Sequence, residues 1–215
     1  SFLPWQDVVG QALREGELPL WIHFSGCGQP FLANPQVATY YPPNVIFHVV
    51  PRVLALKVWL AMHLFVAGIS FYGLLRHWRL DMSPAVVGAV AFAFGTYTIT
   101  RLEFLPILAT VAWCPLTLYL TSRAVERLRS IRSSSIRVRC DVLARSAAPL
   151  GLVIALQFFA GAPQPLVFTL LLAGGYVVSQ GLAWRDPVIT GLALSTLGVA
   201  CVLGLLLVMA QLLPS

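Results

Sequence analysis

The chain alternates between long apolar runs and short polar breaks, and six of the runs approach the roughly 20 residues that a helix needs to cross a bilayer. They cover 53–75, 84–100, 104–122, 146–160, a fifth from the Gly161-Ala162-Pro163-Gln164 break to 182, and 188–213. Arg76, His77 and Arg79 close the first, Arg101 and Glu103 close the second, and Trp184-Arg185-Asp186-Pro187 turns the chain after the fifth. Runs two and four are short, which predicts little tilt or ends that stop below the interface at a water-filled cavity. The pattern therefore predicts an all-α fold: a polytopic transmembrane helical bundle of about six spans over 52–215. Glycines along the runs (Gly68, Gly88, Gly95, Gly174, Gly175, Gly191, Gly198 and Gly204) permit close helix approach.

Residues 1–51 follow a different pattern. They hold seven of the fifteen prolines and no run long enough to span. Asp7 to Leu18 reads as a short amphipathic helix, with Val8, Val9, Ala12 and Leu13 on one face and Gly16 and Pro19 closing it. Beside a membrane, such a helix lies in the interface. From Gly26 to Pro43 the density of Gly and Pro predicts an ordered loop rather than helices or strands.

Composition turns the pattern into an exclusion. The chain is 58% hydrophobic and 10% charged, with a mean hydropathy of +0.81. A soluble domain carries about 25% charged residues, so a secreted disulfide scaffold, a disordered tail and a cytosolic enzyme are all ruled out. The net charge of +6 is concentrated: Arg123, Arg127, Arg129, Arg132, Arg137, Arg139 and Arg145 fall in one stretch, 123–145, between the third and fourth runs. Basic loops mark the cytoplasmic side and attract anionic lipid headgroups. No aromatic residues interleave the arginines as a nucleic-acid stacking platform requires, so nucleic acid is not an expected partner. With Arg76, Arg79 and Arg185, this set of loops carries ten basic residues against four (Arg14, Arg52, Lys57 and Arg101) on the other. That asymmetry places 1–51, the 101–103 turn and the 161–165 break together on the outer face.

The four cysteines (Cys27, Cys114, Cys140 and Cys201) form neither a CxxC pair nor a Cys/His cluster, and Cys27 and Cys140 fall on opposite sides of this topology. Neither a structural disulfide nor a zinc site is expected, and no cofactor is named by the sequence. A long outer-face segment needs a translocating element ahead of it. We expect a transmembrane helix upstream of Ser1, with the sequence a piece of a longer protein.

Candidate chemistry gathers on the outer face. In Gly28-Gln29-Pro30, Ala33-Asn34-Pro35-Gln36 and Tyr40-Tyr41-Pro42-Pro43-Asn44, amides and tyrosines sit among prolines. Gln29, Asn34, Gln36, Tyr40, Tyr41 and Asn44 either form a rigid pocket for sugar hydroxyls or phosphate, or a plug whose amides satisfy its own backbone. Asp7 is either a catalytic general base or metal partner, or a cap on the helix that follows it. Glu15 and Glu17 are expected to be solvated. Arg101 either holds a lipid-linked phosphate, with Glu103, Gln157 and Gln164 nearby, or snorkels to the interface. His63, in mid-span, is either a neutral histidine bonded to a neighbouring helix or a cofactor-binding ligand to a haem or chlorophyll-type pigment.

The stretch Pro19-Leu20-Trp21, Gly28-Gln29-Pro30-Phe31-Leu32-Ala33-Asn34-Pro35-Gln36 and Tyr40-Tyr41-Pro42-Pro43-Asn44 resembles the YfhO-type bacterial membrane proteins, which are similar to GT-C-fold glycosyltransferases. Their pattern there is "PLWNP…GGQPLLANPQ…YPPN". The likeness continues through His63 to Gly68, Ala91 to Arg101, and Gln157 with Ala160 to Gln164. It implies a GT-C-like enzyme of the bacterial inner membrane that moves a sugar from a polyprenyl-phosphate carrier at the periplasmic face. An acid near the first outer loop acts as base, a role that falls to Asp7. Three positions depart from the family: Trp21-Ile22-His23 replaces "WNP", Cys27 replaces a glycine, and Gly161-Ala162-Pro163-Gln164 replaces "GHPQ". Such losses fit a degenerate copy. The alternative expectation is a non-catalytic subunit that keeps the fold, contacts lipids or pigments, and packs with protein subunits of a larger bioenergetic or photosynthetic membrane complex.

Overall fold

The computed structural model describes residues 2–16, 20–22, 28–31, 34–131 and 135–212. Glu17, His23 and Cys27 lie outside the described residues, as does the side chain of Gln29. Helix α1 runs Phe2–Arg14, five residues ahead of the expected start. Pro4 sits in its first turn, where a missing N–H costs nothing, so the helix begins upstream of Asp7. Asp7 therefore does not cap it. Gly16, at φ 74, follows the helix end. Val9 of α1 is buried with Phe31 and Val37, and Trp5 and Val8 pack around them.

The proline-rich stretch is not wholly loop. Strands β1 (Trp21–Ile22) and β2 (Gln29–Pro30) pair antiparallel, Trp21 opposite Pro30. Two 3-10 turns, Pro35–Val37 and Pro42–Val45, begin on prolines whose fixed φ suits a helical start. The short helix α2 (Ile46–Val49) then leads to the bundle.

Six helices are long and apolar enough to cross a membrane, one for each apolar run, and the chain is a multi-pass membrane protein. Helix α3 (Arg52–His77) is the first span. Helices α4 (Met82–Ala93) and α5 (Thr96–Thr100) form the second, broken at Phe94-Gly95, where Thr98 Oγ1 donates to the Phe92 carbonyl at 2.9 Å. Helices α6 (Leu105–Ala112) and α7 (Cys114–Ser130) form the third, joined at Trp113. Helices α8 (Ile136–Phe159), α9 (Pro163–Trp184) and α10 (Pro187–Leu212) complete the set.

The arginine-rich stretch is mostly helix, a correction to the loop expected over 123–145. Thr121, Ala124, Val125 and Leu128 are buried at helical spacing, and Val125 and Leu128 pack with Val177 and Ala193. Arg123, Arg127 and Arg129 are exposed on the other face of α7, Arg129 standing 4.1 Å from the Trp184 ring centroid; on α8 Arg145 pairs with Asp141 one turn away at 3.0 Å, and Arg132 lies outside the described residues.

Helices α8 and α10 approach closely: a Cβ on Gly151 would stand 2.9 Å from the Ala200 carbonyl oxygen, and one on Gly204 would stand 3.0 Å from Ile154. Gly174, Gly175, Gly191 and Gly198 meet nothing within 4 Å, so they play no such part within the chain. At one end of the bundle, Ala38 and Tyr41 join Trp59, Leu105, Leu108, Ala109 and Ala160 in a common core. The 3-10 turns are thus seated directly on the first, third and fourth spans.

Candidate functional site

Two features are built on that end: a buried polar relay and, beside it, a groove. In the relay, Asn44 donates through Nδ2 to the Ala38 carbonyl at 2.8 Å and accepts the Trp59 indole N–H at 2.9 Å. One turn along α3, His63 lies against Trp59, ring centroids 3.7 Å apart. His63 Nδ1 is 2.7 Å from the Trp59 carbonyl oxygen, and Nε2 is 2.6 Å from the Tyr41 hydroxyl. A carbonyl only accepts, so Nδ1 carries a proton; in the neutral ring Nε2 then accepts from Tyr41 O–H. The Tyr41 oxygen in turn accepts the Trp113 indole N–H at 2.8 Å. Burial pushes the Tyr41 phenol well above its usual pKa, with the Trp113 bond opposing. Gln6 adds a tie from α1, its Nε2 donating to the Val37 carbonyl at 2.8 Å.

The relay decides the geometry of several expected site residues. Tyr41 and Asn44 are buried and turned inward, satisfying the segment's own backbone and neighbours. Asn34 accepts from the Gln36 amide at 3.0 Å, a local turn cap. Tyr40 meets the Phe159 ring at a tilt, 6.2 Å between centroids. Both ring nitrogens of His63 are engaged inside the protein.

The groove lies beside the same turns. It encloses about 760 Å³ and brings together Gln36, Arg101, Glu103 and Gln164, from three places in the chain. Its apolar wall includes Trp5, Phe104, Ile107 and Phe168. Arg101 ends α5; its guanidinium carbon stands 5.4 Å from the Tyr97 ring centroid and 5.8 Å from that of Phe104. Its Nε is buried without a hydrogen-bond partner. Gly161, at φ 93, lets the 161–165 break seat on the Pro35 turn, because a Cβ there would collide with the Pro35 carbonyl oxygen. Below the groove, Gln157 Nε2 donates to the Thr110 carbonyl at 3.0 Å and its Oε1 accepts from Thr117 at 2.9 Å, tying the fourth span to the third.

Asp7 lines a separate recess of about 380 Å³ with Gln6, Gly10, Arg14, Glu15 and His48, and its carboxylate is ion-paired with Arg52. Burial, reinforced by Arg14, holds the His48 imidazole below its usual pKa against the opposing charge of Asp7. Among the described residues no three His, Cys, Asp or Glu side chains gather as metal ligands do. No family model, curated protein or solved structure matches the chain.

Trp59 and Trp113 were missed in the sequence. Trp59 had a signal, its i,i+4 spacing from His63 on one helix face. Trp113 had none.

Proposed function

We propose that the chain binds a polyprenyl-phosphate carrier in the Arg101 groove, as a GT-C-like membrane protein of the YfhO type that serves sugar transfer at the outer face of a bacterial inner membrane. The observation that carries the reading is Arg101 itself. It is a cation flanked by two aromatic rings, with one N–H lacking a partner, in a groove lined by both polar groups and apolar side chains. An amphiphile with a phosphate head fits that chemistry better than a sugar or a free ion. The sugar-transfer step rests on the motif resemblance. An acceptor hydroxyl oxygen bonds to the anomeric carbon, the carbon–oxygen bond to the carrier phosphate breaks, and Arg101 holds the departing charge. The hydroxyl proton goes to a carboxylate. Glu103 lies in the groove whereas Asp7 is held by Arg52 in another recess, so the role expected of Asp7 passes to Glu103.

The test is carrier binding by the purified chain in nanodiscs. Arg101→Gln is expected to weaken polyprenyl-phosphate binding about tenfold or more, the loss of one charge-assisted contact. Glu103→Gln is expected to abolish transfer while leaving binding intact. Unchanged binding in Arg101→Gln would refute the reading. The second reading, a non-catalytic subunit of a larger complex, has one observation in its favour: an open apolar cleft of about 520 Å³ between α3 and α4, lined by Leu64, Phe65, Ile69, Val86 and Val90. Recovery of the chain as a lone, monodisperse particle with bound carrier would count against it.

A further inference from the structure

The opposite end of the bundle holds a second recess, of about 540 Å³, formed where the turn after α3 meets α7 and α9 and lined by His77, Trp78, Arg79, Glu126, Arg129 and Tyr176. Its two arginines outnumber its one carboxylate. Glu126 contributes the carboxylate, and His77 Nε2 stands 3.5 Å from it. Among the described residues neither Arg79 nor Arg129 has an acidic partner, and Arg129 is instead held against the Trp184 ring. Arg76, Arg123 and Arg127 lie on the same two helices and add to the positive potential.

The backbone points the same way. Arg79 has φ 65, in the left-handed region where a helix end normally places glycine. The turn around it is closed by Trp78 N–H to the Leu74 carbonyl at 3.0 Å and Leu80 N–H to the Leu75 carbonyl at 3.1 Å. An arginine there is strained, and the position puts a charged side chain on the recess. The walls are amphipathic. Trp78 and Tyr176 stack with centroids 5.8 Å apart, and the Ser122 hydroxyl joins Trp78 Nε1 at 3.2 Å to the Tyr176 hydroxyl at 2.8 Å. Trp and Tyr beside arginine at the end of membrane helices mark headgroup depth.

We propose that this recess binds the phosphate of an anionic phospholipid headgroup, with the Arg79 and Arg129 guanidinium groups on the phosphate and the Trp78 and Tyr176 rings against the glycerol. A guanidinium fork matches phosphate oxygens in pairs, and the uncompensated arginines favour an anionic over a zwitterionic lipid. The site is independent of the groove at the other end.

Native mass spectrometry of the whole chain, titrated in detergent with phosphatidylglycerol or phosphatidylcholine, tests the site. Phosphatidylglycerol is expected to bind the more tightly, and Arg79→Gln or Arg129→Gln to weaken it about tenfold or more. Arg127→Gln, on the same helix as Arg129 but outside the recess, is expected to change it about twofold or less. Arg79→Gly separates function from folding: it relieves the strained backbone, so the melting temperature should rise while the lipid is lost. Retention of phosphatidylglycerol by Arg79→Gly would overturn the proposal. So would an equal loss in all three glutamine variants, which would mean a diffuse basic surface. Displacement of the lipid by millimolar inorganic phosphate would assign the recess to a soluble anion and overturn the lipid assignment.

Discussion

Tyr41→Phe removes one oxygen atom from a buried site and leaves the ring in place. Two partners lose their bond at once: Nε2 of His63, at 2.6 Å, and the Trp113 indole N–H, at 2.8 Å. Tyr41 is 1% exposed and His63 0%, so water cannot replace the hydroxyl without repacking. A buried polar group left without a partner costs about 1–3 kcal/mol, so two such groups place the expected loss at about 2–6 kcal/mol. That is a large share of a typical stability of about 5–15 kcal/mol. Denaturant unfolding in mild detergent, followed by tryptophan fluorescence, reads it directly, because Trp59 and Trp113 both sit in the relay. Tyr40→Phe is the control: it keeps the ring contact with Phe159 and should cost less than about 0.5 kcal/mol. Alkaline pH gives a second arm. With the folded-state phenol raised, the unfolded chain releases its proton first, so stability falls as pH climbs above about 10. Tyr41→Phe should remove that component. A Tyr41→Phe protein as stable as wild type, with the alkaline limb unchanged, would refute the relay as the anchor of the proline-rich segment.

Three further outcomes follow from neighbouring geometry. Gly161→Ala drives a Cβ into the Pro35 carbonyl oxygen at a left-handed φ, so a loss of about 1–3 kcal/mol in the same unfolding assay is expected. Gln157→Leu deletes the amide that ties Thr110 and Thr117 to α8; polar contacts within membranes average about 0.6 kcal/mol each, so the expected cost is about 1–2 kcal/mol. His48 is held below its ordinary pKa, so the unfolded chain takes up a proton that the folded chain refuses, and stability should fall as pH drops below about 6.5. His48→Gln should flatten that acid limb when melting curves are compared across it.

The spans were legible because the bilayer sets their length, and their ends were legible because Arg, Gly and Pro mark them. The grouping of Arg101, Glu103, Gln36 and Gln164 was legible for a related reason: loops that alternate across a membrane meet at a common end. The roles of Tyr41 and Asn44 were not. Composition leaves open whether an amide among prolines faces a ligand or its own backbone, and only the inward turn of these side chains decides for the backbone. The arginine stretch was misread because charge density was weighed above spacing; the buried positions Thr121, Val125 and Leu128 carried the helical period throughout. The helix around Asp7 starts earlier than its apolar face suggests, because Pro4 is accepted in a first turn.

Relay and groove share one short piece of chain, and this couples their fates. Across the first 3-10 turn, Gln36 faces the groove while Val37 and Ala38, at 0% and 1% exposure, face the core. The 161–165 break, which also lines the groove, rests on Pro35 of the same turn. A shift in that turn must therefore move both parts of the lining, whereas Arg101 is anchored separately on α5. Tyr41→Phe touches no residue of the groove, yet it should weaken carrier binding together with stability. Arg101→Gln should weaken binding and leave the unfolding midpoint near that of wild type. If the two variants behaved alike in both assays, the groove would not be a site resting on a separately stabilised frame, and Arg101 would be a packing residue.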